Sequence, residues 1–163
     1  MSLELSLVMS DETLSLPPMG FATDLDEDER AQLSSFGEFL TLKDGEALIQ
    51  EGDTQHGLFL VITGSFHVQT SVTGRPVLLG MMKGGDTVGE VNIFDPGRAS
   101  ASVVSRSVSE VWKIERDNLE QYLESHPRAA ARFLVIIATQ LSKRLRRANE
   151  KVAMAREAML DSF

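Results

Sequence analysis

The chain has 163 residues, 42% of them apolar and 25% charged, which suits one compact domain with extensions. It holds no cysteine, so disulfides, thiolate metal sites and cysteine nucleophiles are excluded. A net charge of −8 argues against a nucleic-acid surface spread over the whole chain.

No apolar run approaches the roughly 18 residues of a membrane span. Met1-Ser2-Leu3-Glu4 lacks the basic start of a secretory signal. Both points fit a cytoplasmic location without a membrane partner. Residues 1–20 read as an N-terminal extension, Leu and Ser mixed with Pro17, Pro18 and Gly20 without a sustained period. Thr23 or Asp24 is expected to cap a short helix through Ser34. Asp26, Glu27 and Asp28 lie at its positive end, and Leu25 and Leu33 face inward.

From Phe39 to Ile114 the pattern is short strands and glycine turns. Phe39–Leu42, Ala47–Gln50, the apolar run Gly57–Ile62, the alternating run Ser65–Thr70 and the returning run Pro76–Met82 each read as a strand. Val72-Thr73-Gly74-Arg75 is a hairpin tip, and Val103-Val104 and Val108–Ile114 supply the last strands. This is the signature of a sandwich or barrel. Arg116–Leu123 then reads as a short helix with Leu119, Tyr122 and Leu123 on one side. Residues 21–126 thus form one β domain with short helices.

Ser125 is expected to cap a long helix with Pro127 in its first turn, where the missing N–H is harmless. No Gly or Pro interrupts Arg128–Leu160, so residues 127–163 are assigned to this helix. Leu141, Leu145, Ala148, Val152, Ala155 and Met159 recur at alternating spacings of four and three. That heptad seam predicts a parallel homodimer through residues 134–159, with Ala148 and Ala155 permitting close approach. Of the 16 Lys and Arg, eight lie from Arg128 onward. They read as a solvated helix face.

Other chemistry is poorly supported. His56, His67 and His126 are far apart and lack metal-ligand spacing. Ser100 and Ser102 have no nucleophile motif around them, and Gly84-Gly85 is not followed by the Lys-Ser/Thr of a triphosphate loop. Neither an enzyme, nor a metal site, nor a required cofactor is expected.

The stretch Gly85–Ser102 is the most informative. A Gly89-Glu90 opening, a short helical turn, then Arg98, Ala99 and Ser100 before a strand can hold a sugar phosphate. Glu90 would accept hydrogen bonds from ribose hydroxyls, and Arg98 with free backbone N–H groups would face a phosphate. Together with Gly45–Asp53 and Leu58–Phe66, this segment resembles the cyclic nucleotide-binding domains of the catabolite activator protein type. The resemblance covers roughly residues 21–155. It implies a mainly β fold with flanking α-helices, a jelly-roll β barrel with the pocket inside it, and a long C-terminal dimerisation helix. The implied ligand is cyclic AMP or cyclic GMP, with Gly89, Glu90, Arg98, Ala99 and Ser100 in the cassette and Asn149 near the base.

One departure from the family pattern matters. Counted from Glu90 or back from Glu110–Ile114, the family's arginine position falls on Ala99, one residue after Arg98. In extended chain a shift of one residue turns a side chain to the opposite face. Two readings therefore stand. One is a homodimeric cyclic nucleotide sensor with no catalysis of its own. The other is a degenerate barrel that binds no cyclic nucleotide and serves as a dimeric protein-interaction scaffold. The family's helix-turn-helix follows the dimer helix. With Phe163 last, DNA binding of that kind is not expected.

Overall fold

The computed structural model describes residues 14–162. Residues 1–13 of the expected extension, and Phe163, lie outside them. The end of the extension belongs to the core: Leu16 is buried, and its N–H donates to Ser34 Oγ at 2.6 Å. A turn of 3-10 helix at Gly20–Ala22 buries Phe21, and α1 follows at Glu27–Ser34.

The cap of α1 is Asp26, not Thr23 or Asp24 as expected. Asp26 Oδ1 accepts from the Glu29 N–H at 2.8 Å, and Glu29 Oε2 accepts from the Asp26 N–H at 3.0 Å. This reciprocal pair satisfies two otherwise orphaned donors. Thr23 is already occupied, its Oγ1 donating to the Gly20 carbonyl and closing the preceding turn. Leu25 and Leu33 face inward as expected.

The strands are β1 (Glu38–Leu42), β2 (Ala47–Ile49), β3 (Thr54–Gln55), β4 (Gly57–Thr63), β5 (Ser65–Val72), β6 (Arg75–Lys83), β7 (Thr87–Val88), β8 (Gly97–Arg98), β9 (Ser102–Ser105) and β10 (Ser109–Glu115). Between β7 and β8 lies the short helix α2 (Glu90–Phe94). Two four-stranded antiparallel sheets result, ordered β1-β10-β4-β7 and β2-β9-β5-β6, with β3 and β8 forming a separate pair. The mainly β fold with flanking helices is as expected, but no closed barrel forms among the described residues. The two-residue strands β3, β7 and β8 are too short to carry a ladder from one sheet to the other. They are also the strands that the sequence reading passed over.

The first sheet is covered on both faces, which is why Gly57–Ile62 reads as a continuous apolar run. Phe59 and Val61 of β4 join Phe66, Val103 and Val111 in a cluster between the sheets. Leu58 and Leu60 point the other way, into a second cluster with Trp112, Leu119, Tyr122, Phe133 and Ile137. The rings of Phe21 and Phe133 meet edge to face at 5.2 Å.

Two helices close the chain, α3 (Arg116–Ser125) and α4 (Pro127–Leu160). Pro127 opens α4 as expected, but Ser125 does not cap it. Its Oγ donates back to the Gln121 carbonyl at 2.7 Å, finishing α3, and His126 is the junction. Ala129, Ala130, Phe133 and Ile137 bury the first half of α4. Every residue from Ser142 to Leu160 is exposed, a stretch of about 28 Å of helix. Among the described residues, no helix is long and apolar enough to cross a membrane.

Burial of the Tyr122 hydroxyl, and secondarily the charge of Glu29, push its pKa up to about 12. The folded state therefore holds the proton longer than the unfolded chain, whose tyrosine ionises near 10. This contribution is intact below pH 10 and is lost as the pH climbs through 12. It amounts to about 2 kcal/mol by pH 12. Urea midpoints measured at pH 9 and pH 11.5 should show the drop, and Tyr122→Phe should remove its tyrosine part.

Candidate functional site

The site is built on the β7–α2 corner. Gly89 takes a left-handed conformation at φ 88°, which only glycine adopts freely, and a Cβ there would collide with the Gly57 carbonyl. The corner turns Glu90 inward, leaving it 5% exposed. A carboxylate taken that far from water needs a cation or several donors.

The cation is Arg144 of α4. Its Nη1 pairs with Glu90 Oε1, and its Nη2 donates to the Thr87 carbonyl at 2.5 Å. Burial of the guanidinium lowers its pKa from the ordinary arginine value. The charge of Asp86 opposes that shift, and Arg147 adds to it. Arginine nevertheless stays protonated at physiological pH. Reading the C-terminal basic residues as a solvated face passed over this residue. Arg144 lies seven residues after Ile137, on the face of α4 that Phe133 and Ile137 turn to the core. A stripe of apolar residues that continues into an arginine is the signal that finds it. Arg132 is likewise engaged, with Glu29 at 2.9 Å and the Asp24 carbonyl at 2.5 Å.

A cleft of about 460 Å³ opens over this corner. Gly89, Glu90, Arg98, Ser100 and Arg144 all line it, so four of the expected site residues do come together, joined by one from α4. Asn92 Nδ2 donates to the Gly97 carbonyl at 3.1 Å and fixes the intervening turn.

Arg98 and Ala99 take the orientations that the displaced register implies. Arg98 pairs with Thr54 across the β3–β8 ladder and is exposed, its Nη1 donating to the Gly52 carbonyl at 3.2 Å. It lines the cleft as an exposed residue tied to backbone. Ala99 is buried in the cluster between the sheets, its N–H bonded to Asp53 and its carbonyl to Gly52. Its side chain therefore does not face the cleft.

Asn149 is not brought to the cleft by its own chain. It is exposed on the second half of α4. Five residues beyond Arg144, it is rotated by about 140° around the helix, whereas Ala148 stays within about 40° of it.

A larger cleft of about 540 Å³ is lined by His56, Pro96, Glu115, Arg116 and Asp117. It contains none of the expected site residues, and Glu115 is paired with Lys113 and Arg116 with Glu120. Among the described residues, no group of three or more His, Asp or Glu side chains is placed to hold a metal ion.

The family model for the cyclic nucleotide-binding domain matches residues 39–126. The CRP-like cAMP-activated global transcriptional regulator of Mycobacterium tuberculosis is 29% identical over 110 residues, covering 67% of this chain and 47% of that protein. Glutaminase 1 of Bradyrhizobium diazoefficiens is 30% identical over 141 residues, 86% of this chain and 22% of that protein. The chain thus spans about half or less of the length of these curated relatives. A crystal structure of a cyclic nucleotide-binding domain from Methylobacillus flagellatus shares the fold, with a TM-score of 0.74 at 24% identity over 80% of this chain and 74% of that one.

Proposed function

Because this chain belongs to the cyclic nucleotide-binding domain family, we propose that it is a non-catalytic regulatory module that binds cyclic AMP or cyclic GMP and acts as a homodimer through α4. The observation that carries this reading is Glu90, a buried carboxylate held at a cleft by a left-handed glycine and an arginine from another element. A ribose offers that carboxylate hydroxyl donors beside the one it takes from Arg144.

The same pair suggests how binding reaches the helix. Arg144 sits at the edge of the seam face, about 60° around the helix from its centre line. A ligand that binds beside Glu90 and Arg144 changes what anchors this turn of α4. If two arrangements of the helix differ in that contact, the ligand shifts their populations. The apolar seam supplies the second copy's docking face: Leu145, Val152 and Met159 are 63%, 60% and 70% exposed on the second half of α4. The output belongs to an effector that reads the helix. The matching segment is a minor part of relatives as different as a transcriptional regulator and a glutaminase.

Calorimetric titration with cyclic AMP and cyclic GMP tests the proposal. Micromolar or tighter binding of either supports it. No heat and no thermal shift at millimolar ligand favours the scaffold reading, which has an observation of its own: Ala99 occupies the inward position of the cassette end, and Arg98 points at the Gly52 carbonyl.

A further inference from the structure

We infer that Arg144, from helix α4, is the cation that meets the cyclic phosphate in this chain, in place of an arginine from the cassette. This deepens the sensor reading and rests on it. A cyclic phosphodiester carries one negative charge and must enter a cleft that already contains Glu90 and Asp95. Without a facing cation, that charge is repelled rather than held.

The lining offers two guanidiniums, and their surroundings differ. Arg98 is on the exposed β8 strand with its Nη1 turned to the Gly52 carbonyl, and its neighbour Ala99 is packed among apolar side chains. Arg144 stands beside Glu90 at the β7–α2 corner, partly withdrawn from water, where a charged hydrogen bond is stronger. Guanidinium has five N–H donors. Glu90 and the Thr87 carbonyl take one each from Nη1 and Nη2, leaving Nε–H and the second hydrogen of each Nη for an anion. Arg144 thus neutralises the carboxylate and retains donors for a phosphate, with no shift of the cassette register.

The test compares cyclic AMP with adenosine, which keeps the ribose and base but lacks the phosphate. Both are titrated into the full chain and into Arg144→Met, Arg144→Lys and Arg98→Ala, with thermal melts confirming that each variant is folded. Arg144→Met should weaken cyclic AMP at least tenfold and leave adenosine within twofold. Arg144→Lys should recover part of the loss, and Arg98→Ala should stay within twofold for both ligands. Equal losses for cyclic AMP and adenosine in Arg144→Met would make Arg144 a positioning residue for Glu90 and overturn the assignment. So would a cyclic AMP loss confined to Arg98→Ala. If the unmodified chain binds neither cyclic AMP nor cyclic GMP, the sensor reading fails, and the assignment fails with it.

Discussion

A chain carrying Leu145→Glu and Val152→Glu should run as a 17.9 kDa monomer, while the unmodified chain runs at the mass of two copies at micromolar concentration. Both residues lie on the seam face and are more than half exposed, so the sheets and the first half of α4 lose no packing by the change. In a parallel pair each seam residue meets its own copy. The variant would therefore place two carboxylates together at two levels of the seam, out of water and without cations. Unpaired burial of a charge costs several kcal/mol, and the like-charge contact adds to it. A loss of about 4 kcal/mol is already a thousandfold in the dissociation constant. Light scattering behind a sizing column reads the result. Lys143→Glu, nearly opposite the seam on the helix, should leave the mass unchanged. A monomeric mass for the unmodified chain at the same concentration would remove the dimer from the proposal.

That experiment turns on a feature that was plain in the sequence, and other features were not. The seam and the apolar run of β4 were legible because each repeats one signal over many residues: a 4-3 period on α4, and a strand buried on both faces. The two-residue strands β3, β7 and β8 carry no period. Their pairing partners lie elsewhere in the chain, Thr54 with Arg98 and Leu60 with Thr87, so only the folded chain defines them. The caps were misplaced for a related reason. Thr23 and Ser125 are good capping residues, yet both hydroxyls are used by the preceding turn. Glu90 is buried in the folded chain, and that burial has a consequence at long range. A buried carboxylate demands a partner, and the cassette's own arginine was one residue out of register. The partner had to come from another element, and it is the position where the core stripe of α4 turns from isoleucine to arginine.

The chemistry at Glu90 gives the second large expectation. Glu90→Ala should weaken cyclic AMP tenfold to a hundredfold, because a buried hydrogen bond to a charged group contributes roughly 1.5–3 kcal/mol. The loss should be specific to the ribose hydroxyl. With 2′-deoxy cyclic AMP, the unmodified chain and the variant should bind alike, because neither complex contains the contact. The comparison is a double-mutant cycle with one change on the ligand, and its coupling energy isolates the single interaction. The phosphate makes the control sharper. Removing Glu90 also removes a negative charge from the cleft and frees the Arg144 donor that it occupies. The deoxy ligand should therefore bind the variant no more weakly than it binds the unmodified chain, and any difference should favour the variant. Folding stability should change little, by roughly 1 kcal/mol or less, since the half-exposed Arg144 guanidinium can turn to water once its partner is gone. A hundredfold loss for both ligands, with a lowered melting temperature, would instead mean that Glu90 holds the corner together and that the ribose contact is not its role.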